Sequence, residues 1–162
     1  MSKKVGPRGK QLFKEWEGLE TQAYPDAGGA LSIGIGHLLT RSELTSGKIV
    51  INGQAVYYRD GLSEAQCWDL LGQDLDTAEG AVNEAVNVPL NQNQFDALVS
   101  FAFNVGNGAF HGSTLLKLLN QGQHDQVPAQ FERWTRIHGQ VVAGLVNRRR
   151  KEIELWNSPE EA

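Results

Sequence analysis

Cysteine is nearly absent from this 162-residue sequence, which contains Cys67 alone. One cysteine cannot form an internal disulfide, so we expect folding in a reducing compartment. Long apolar runs are also absent, and none is long enough to cross a bilayer. The basic N-terminal stretch MSKKVGPRGKQLFKEW is not followed by an apolar segment. We therefore expect neither a signal peptide nor a membrane anchor.

Positive charge is in deficit, with 15 Lys and Arg against 19 Asp and Glu, a net charge of -4 and a pI of about 5.5. This balance argues against a nucleic-acid-binding protein. Several site motifs are missing too. The histidines show no metal-ligand spacing, GIGH lacks the rest of a dinucleotide fingerprint, and GALSIG is not a serine-hydrolase elbow. We expect no metal and no cofactor, and a thiol nucleophile at Cys67 is disfavoured because no His or Asn is paired with it.

The remaining patterns predict an α+β fold. Apolar spacing indicates a helix from Pro7 to about Leu19, and the glycine-rich stretch from Ala23 to about Tyr58 indicates a small antiparallel sheet. Asn52-Gly53 predicts a type I′ hairpin turn within it. After Gly61 the pattern is mostly helical. We expect one domain, residues 1–162, with a β lobe (about 1–61), a long connecting helix and a helical lobe (about 62–162), and an active-site cleft between the lobes.

Several local signals place the later helices. Ser63 and Gln66 form the pattern of a capping box at the start of the connecting helix, which Pro89 should end. Asn91 should cap the next helix. Further helices are expected to begin near residues 113, 125 and 143. The basic stretch NRRRKEIELW should lie on the last of these, as a solvated face with Ile153 and Trp156 packed inward.

Two carboxylates near the N-terminus have the residue types needed for glycoside hydrolysis. Glu17 falls at the predicted C-terminal end of the first helix, beside Trp16. The helix dipole and the apolar neighbour both disfavour its charge, so we expect a raised pKa and a general-acid role. Asp26 follows Pro25 in a loop and should stay ionised. Ser32 lies on the next strand, where its hydroxyl could orient a water molecule.

Each of these residues also has a simpler structural interpretation. Asp26 is well explained as a turn residue after Pro25. Ser32 could be a strand hydroxyl bonded to the backbone. A pair of carboxylates at this spacing arises by chance in most proteins, so the pattern of acids alone does not establish an active site.

The wider string EGLETQAYPDAGGALSIGIGHLLT closely resembles the active-site segment of phage-type lysozymes, the endolysins of the T-even phages and their relatives. That family has Glu, eight residues, Asp or Cys, five residues, Thr, and then Gly-x-Gly-His. The matching positions are Glu17, Asp26, Gly34, Gly36 and His37. Ser32 departs from the pattern, because it keeps the hydroxyl of Thr and loses the methyl group that stiffens the rotamer. Weaker resemblance extends over nearly the whole chain.

The resemblance implies a lysozyme-like fold and a set of substrate-binding residues. Those residues would be His37, Leu38, Phe103, Asn104, Thr114 and Arg133, with Arg133 near the catalytic glutamate. Read from the sequence alone, Phe103 fits a core stripe equally well and Arg133 fits an ordinary salt bridge. We assign His37 mainly a structural role.

The resemblance further implies a muramidase that hydrolyses the β-1,4 bond between N-acetylmuramic acid and N-acetylglucosamine in bacterial peptidoglycan. Inversion is implied, with Glu17 as the acid and with Asp26 and Ser32 handling the water. Two rivals are a lytic transglycosylase, which Asp26 and Ser32 argue against, and a non-catalytic wall-binding or structural protein of the same fold.

The expected biological setting is that of a phage endolysin. We expect a monomer without stable membrane association. It would reside in the host cytoplasm until a holin-type protein opens the membrane, and it would then act on the cell wall.

Overall fold

The computed structural model describes residues 3–26 and 29–159 of the chain. It divides into two compact units. One contains Gln11–Asp74, and the other contains the chain up to Lys10 and from Leu75 onward. The helices are α1 (Pro7–Glu17), α2 (Arg41–Ser46), α3 (Glu64–Ala85), α4 (Gln92–Val105), α5 (Asn107–His111), α6 (Thr114–Asn120), α7 (Val127–Phe131) and α8 (Ala143–Asn157). The strands are β1 (Glu20–Pro25), β2 (Leu31–Gly34), β3 (His37–Leu38), β4 (Lys48–Ile51), β5 (Gln54–Tyr57), β6 (Arg136–Ile137) and β7 (Gln140–Val141).

The first unit holds two antiparallel sheets rather than the single small sheet that the sequence predicts. Strands β1, β2 and β3 form one sheet in that order, and β4 pairs with β5 in the other. Helix α2 separates them, which the sequence analysis did not predict. The β4–β5 turn is the predicted type I′ turn, because both Asn52 (φ 52°) and Gly53 (φ 79°) have positive φ. The buried apolar residues of the first unit include Phe13, Ile33, Ile35, Ile49, Ile51, Leu70 and Leu71.

Three of the predicted helix starts in the second half are confirmed by side-chain caps. The helices expected near residues 125 and 143 begin at Val127 and Ala143, and neither has such a cap. Ser63 and Gln66 exchange the two bonds of a capping box, at 2.9 and 3.0 Å. Asn91 and Gln94 do the same at the start of α4, and the Ser113 hydroxyl caps α6. Helix α3 ends at Ala85, before the predicted stop at Pro89. These caps satisfy N–H groups that a helix cannot bond internally.

The second unit packs around α4, whose residues 95–102 are all buried. Phe101 is the centre of an aromatic cluster, with ring centroids 5.3 Å from Phe131 and 5.4 Å from Trp134 in edge-to-face geometry. A short hairpin, β6–β7, was not predicted from sequence. Its turn residues His138 (φ 51°) and Gly139 (φ 78°) again have positive φ.

Two glycines show whether positive φ, and not lack of space, is what requires glycine in the β4–β5 turn. An added Cβ would meet no atom within 4 Å at either Gly53 or Gly72, but only Gly53 has positive φ. Gly53→Ala should therefore cost about 1 kcal/mol of unfolding free energy. Gly72→Ala, inside α3, should raise stability by roughly 0.5 to 1 kcal/mol. Urea denaturation of both variants measures these changes. Equal effects would show that backbone strain is not what requires glycine at position 53.

Candidate functional site

Glu17 is the last residue of α1, as the sequence predicts. Gly18 ends the helix with φ 75°, and its N–H donates to the Lys14 carbonyl at 2.8 Å. The chain then turns directly into β1. As a whole residue Glu17 is half-buried.

The turn between β2 and β3 lies against the Glu17 carboxyl group. A Cβ atom placed on Gly36 would lie 2.6 Å from Glu17 Cδ and would overlap Oε2. Gly36 also has φ 72°, which disfavours any other residue. The backbone conformation therefore favours glycine here, and any larger residue would also have to displace the Glu17 carboxyl group. This is the physical reason for the second glycine of the Gly-x-Gly-His segment.

Asp26 closes the loop between β1 and β2. Its backbone N–H donates to the Ala30 carbonyl at 2.7 Å, and its Oδ1 accepts from the Ala30 N–H at 3.0 Å. Asp26 therefore does stabilise this turn, as its position after Pro25 predicts. Its second carboxylate oxygen, Oδ2, faces β2.

Ser32 lies on β2, with its hydroxyl 3.5 Å from Asp26 Oδ2, which makes a long and weak hydrogen bond. Ser32 is buried, whereas Asp26 is half-buried. The partner of Ser32 in the sheet is Tyr24 on one side and Leu38 on the other. Burial, followed by the negative charges of Glu20 and Asp26, raises the pKa of Tyr24. The carboxylate and the hydroxyl together offer two oxygen groups to a molecule bound beside them.

His37 is bound by a carboxylate at each ring nitrogen. Nδ1 lies 2.8 Å from Asp74 Oδ2, and Nε2 lies 2.8 Å from Glu43 Oε1. The same Glu43 oxygen accepts from the backbone N–H of Thr40 in the capping box of α2. His37 therefore joins β3 to α2 and α3 immediately after Gly36. This geometry supports the structural role assigned to it from sequence.

The two carboxylates decide the protonation state of His37. Burial alone lowers the pKa of this imidazole, but the hydrogen bonds and charges of Asp74 and Glu43 outweigh it and raise the pKa to about 9. Only 11% of the side chain is exposed. His37 is therefore an imidazolium at neutral pH, and both of its N–H groups are used inside the protein.

The other residues expected to bind substrate are distributed as follows. Leu38 is 56% exposed on β3, beside Ser32. Phe103 is half-buried and Asn104 is exposed, both near the end of α4. Thr114 is exposed at the first position of α6, and Arg133 is exposed in the turn after α7. Within the first unit the structure brings together Glu17 with Gly36, and Asp26 with Ser32.

The basic stretch on α8 agrees only in part with the sequence prediction of a solvated face, since the two basic residues that follow Arg149 are exposed. Arg148 and Arg149 are buried, with relative exposures of 7% and 1%, and Glu152 is fully buried. Trp156 is buried as predicted, while Ile153 is half-buried. The inward stripe of α8 follows normal helical spacing, but charged residues occupy its first half. The prediction was wrong for Arg148 and Arg149 because the sequence shows their charges and not the partners that satisfy them.

Glu152 satisfies these charges together with Ser100 of α4. Its Oε2 accepts from Ser100 Oγ at 2.6 Å, from Arg149 Nη2 at 3.2 Å and from Arg148 Nε at 3.3 Å. Its Oε1 lies 2.7 Å from Arg149 Nε. This last pair is an ion contact without hydrogen-bond geometry. The cluster is a buried charge network between two helices of one unit.

Burial sets the direction of every pKa shift in this cluster. It lowers the pKa of Arg148 to about 10, with Glu152 opposing the shift and Arg149 adding to it. Burial also lowers the pKa of Arg149 and raises that of Glu152, against the attraction of the opposite charges. Removal of one partner would leave an uncompensated buried charge, which is strongly destabilising.

Sequence reasoning missed Glu43, Asp74, Arg149 and Glu152. Glu43 had a readable signal, since Thr40 and Glu43 have the spacing of a capping box. Arg149 and Glu152 have the i, i+3 spacing of a helical ion pair, but that spacing does not reveal burial. Asp74 had no signal, because its contact with His37 spans 37 positions.

The part of the chain that the structure describes shows neither a metal-ligand cluster nor a helix that could span a membrane. In the ranges 3–26 and 29–159, no three His, Cys, Asp or Glu side chains are grouped so as to hold a metal ion. In the same ranges, no helix has the length and apolar character needed to cross a membrane.

The small antiparallel sheets, the helical unit and the placement of Glu17 define a lysozyme-like α+β protein. The family model described as phage lysozyme matches residues 14–152. The chain therefore belongs to the phage lysozyme family, as the resemblance of the Glu17–His37 segment predicts.

Its relatives include two phage endolysins. The endolysin of Bacillus phage PZA is 40% identical over 156 residues, which are 95% of this chain and 55% of that protein. The endolysin of Salmonella phage P22 is 36% identical over 154 residues, covering 95% of this chain and 98% of that one. The chain spans about half the length of the Bacillus phage endolysins that it matches.

A solved structure gives the same fold. The muramidase domain of SpmX from Asticaccaulis excentricus matches with a TM-score of 0.76 and 35% sequence identity, over 96% of this chain and 99% of that one. The predicted lysozyme-like α+β fold is confirmed.

The His37 ion pairs predict a pH dependence of stability. The folded pKa of about 9 lies above the ordinary histidine value of 6.5, so the stabilisation is complete below about pH 6.5 and is lost as the pH rises through about 9. The difference corresponds to about 3 kcal/mol at most. Urea denaturation of the wild type and of His37→Gln at pH 6 and pH 9.5 should show their stabilities converging at the higher pH. A constant gap between them would contradict the ion-pair origin.

Proposed function

We propose that this protein is a phage endolysin with muramidase activity, which hydrolyses the β-1,4 bond between N-acetylmuramic acid and N-acetylglucosamine in bacterial peptidoglycan. The observation that carries the proposal is the arrangement of Glu17, Asp26 and Ser32. One carboxyl group lies at a helix end against a glycine turn, and a second faces a buried hydroxyl on the adjoining sheet. Membership of the phage lysozyme family supports it.

In the proposed mechanism Glu17 is the general acid. Its carboxyl group protonates the leaving glycosidic oxygen. Asp26 accepts a proton from the attacking water, and the Ser32 hydroxyl, 3.5 Å from Asp26 Oδ2, holds that water in line. The outcome would be inversion at the anomeric carbon, because the water attacks the face opposite the leaving group.

Sugar binding is proposed for Leu38, Phe103, Asn104, Thr114 and Arg133. Leu38, Asn104, Thr114 and Arg133 are exposed and Phe103 is half-buried, so each can contact a ligand. His37 contributes differently. Both its ring nitrogens are bound to carboxylates, so it would shape the substrate site by fixing β3 rather than by donating to a sugar.

The setting proposed for this activity is host lysis. Residues 1–162 would act as a single monomeric lysozyme-like domain that needs no metal, cofactor or nucleic acid. The enzyme would be held in the host cytoplasm without stable membrane association. A holin-type protein would then open the membrane and give it access to peptidoglycan.

The central test is the variant Glu17→Gln. The amide is nearly isosteric but cannot give up a proton, so lysis of chloroform-treated Gram-negative cells, followed as loss of turbidity, should fall at least about a hundredfold. Circular dichroism should show an unchanged fold. Retention of more than a tenth of the wild-type rate would remove Glu17 from the acid role.

The products separate the proposal from its rivals. Mass spectrometry of digested cell wall should show hydrated reducing ends. Anhydro-muropeptides would instead establish a lytic transglycosylase, and an intact wall after incubation with the wild-type protein would indicate a non-catalytic wall-binding or structural protein.

Ser32 gives a second, independent test. If its hydroxyl holds the water, Ser32→Ala should reduce lysis heavily and change the unfolding free energy by less than about 1.5 kcal/mol, the usual value of one neutral hydrogen bond. Ser32→Thr is the matched control, because it keeps the hydroxyl and a β-branched side chain suits a strand. Rates and thermal melts of both variants are measured together. A purely structural serine predicts the reverse pattern, with stability lost and the rate kept.

A further inference from the structure

A buried guanidinium holds the exposed amide of Asn104. Arg149 Nη2 donates to Asn104 Oδ1 at 2.6 Å. Arg149 is only 1% exposed, whereas Asn104 is exposed to solvent near the end of α4. This short contact connects the buried charge cluster of α4 and α8 to the protein surface.

The chemistry of the contact fixes the orientation of the amide. A guanidinium has only donors, so the Asn104 atom that faces it must be the oxygen. A flipped amide would place N–H groups against N–H groups. The Nδ2 group is therefore directed away from Arg149, and within residues 3–26 and 29–159 it donates no hydrogen bond. Asn104 presents a donor to solvent, not an acceptor.

Arg149 is itself firmly placed. Its Nε and Nη2 atoms lie 2.7 and 3.2 Å from the two carboxylate oxygens of Glu152. Its Nη1 donates to the Trp134 carbonyl at 3.5 Å, and its guanidinium carbon lies 5.2 Å from the centroid of the Phe101 ring. Rotation of the Asn104 amide would break a charge-assisted hydrogen bond, which is stronger than a neutral one.

We propose that Arg149 is a positioning residue that makes Asn104 a fixed hydrogen-bond donor to the carbonyl oxygen of an N-acetyl group in peptidoglycan. The inference rests on the proposed function and deepens it. An N-acetyl carbonyl oxygen can only accept, whereas a sugar hydroxyl can also donate. A locked N–H donor therefore favours the acetamido group. It disfavours the ammonium group that remains after de-N-acetylation, because that group can only donate.

The first experiment replaces the Nδ2 donor of Asn104 and keeps the oxygen that accepts from Arg149. Asn104→Asp retains an oxygen acceptor for Arg149 but replaces the outward donor with an acceptor, and Asn104→Ala removes both. With soluble peptidoglycan oligosaccharides, both variants should raise KM about three- to tenfold, the worth of one hydrogen bond, and change kcat little. The melting temperature of Asn104→Asp should not fall. An unchanged KM in Asn104→Asp overturns the donor role.

The second experiment asks whether Arg149 acts through Asn104. Arg149→Lys keeps the charge but loses the rigid fork that reaches both Glu152 and Asn104. It should raise KM in the wild-type background and should not raise it further in the Asn104→Ala background. An equal rise in both backgrounds, with circular dichroism confirming the fold, would show that Arg149 is only a structural residue.

The third experiment identifies the group that is recognised. Co-sedimentation of Glu17→Gln with N-acetylated and with chemically de-N-acetylated peptidoglycan measures binding without cleavage. The Asn104→Asp substitution in this background should weaken binding to the acetylated wall, because the donor is lost, and should strengthen binding to the de-N-acetylated wall, because a carboxylate attracts and accepts from its ammonium groups. An equal loss on both walls would assign the donor to another oxygen and overturn the N-acetyl assignment.

These outcomes are separable from those for the proposed function. If the wild type neither cleaves nor binds peptidoglycan, both the function and the inference fail. If Glu17→Gln abolishes lysis while Asn104→Asp keeps the wild-type KM, the inference alone fails.

Discussion

The first unit is organised by the contact between a carboxyl group at a helix end and a backbone that carries no side chain. Glu17 ends α1, and a Cβ at Gly36 in the β2–β3 turn would displace its carboxyl group. The residue after that glycine, His37, is bound by Asp74 and Glu43 on separate elements. The ion pairs therefore hold the turn that shapes the surroundings of Glu17. The two ion pairs of His37 thus lie one residue from the glycine that contacts the proposed acid.

The second unit uses buried charge in a different way. Two arginines and one glutamate lie in the core between α4 and α8, where apolar residues would fill the same stripe of the helix. Such networks are not generally a gain in stability over well-packed apolar residues. Here the buried network extends to the protein surface, because Arg149 donates a hydrogen bond to the exposed Asn104. Arg148, Arg149 and Glu152 are therefore internal supports, whereas Arg150 and Lys151 lie exposed on the same helix.

Local sequence patterns determined the turns and helix starts of this protein. The Asn52-Gly53 turn, the capping box of Ser63 and Gln66, and the cap at Asn91 all depend on residues within a few positions of one another. Their conformations follow from backbone sterics and from N–H groups that a neighbouring side chain can reach. The segment from Glu17 to His37 also identified the family, because its residues and their spacing are specific.

Other features depended on the tertiary structure. The burial of Ser32, the charge on His37 and the inward direction of Arg149 each require partners far away in sequence, such as Asp74 for His37 and Asn104 for Arg149. Helix α2 had a readable signal in Thr40 and Glu43, but the dual use of Glu43 by the helix cap and by His37 had none. Sequence determines which groups can carry charge and which bonds they can make. Only the folded chain decides how far each group is removed from water and which opposite charge it meets, and these two quantities set its protonation state and its role.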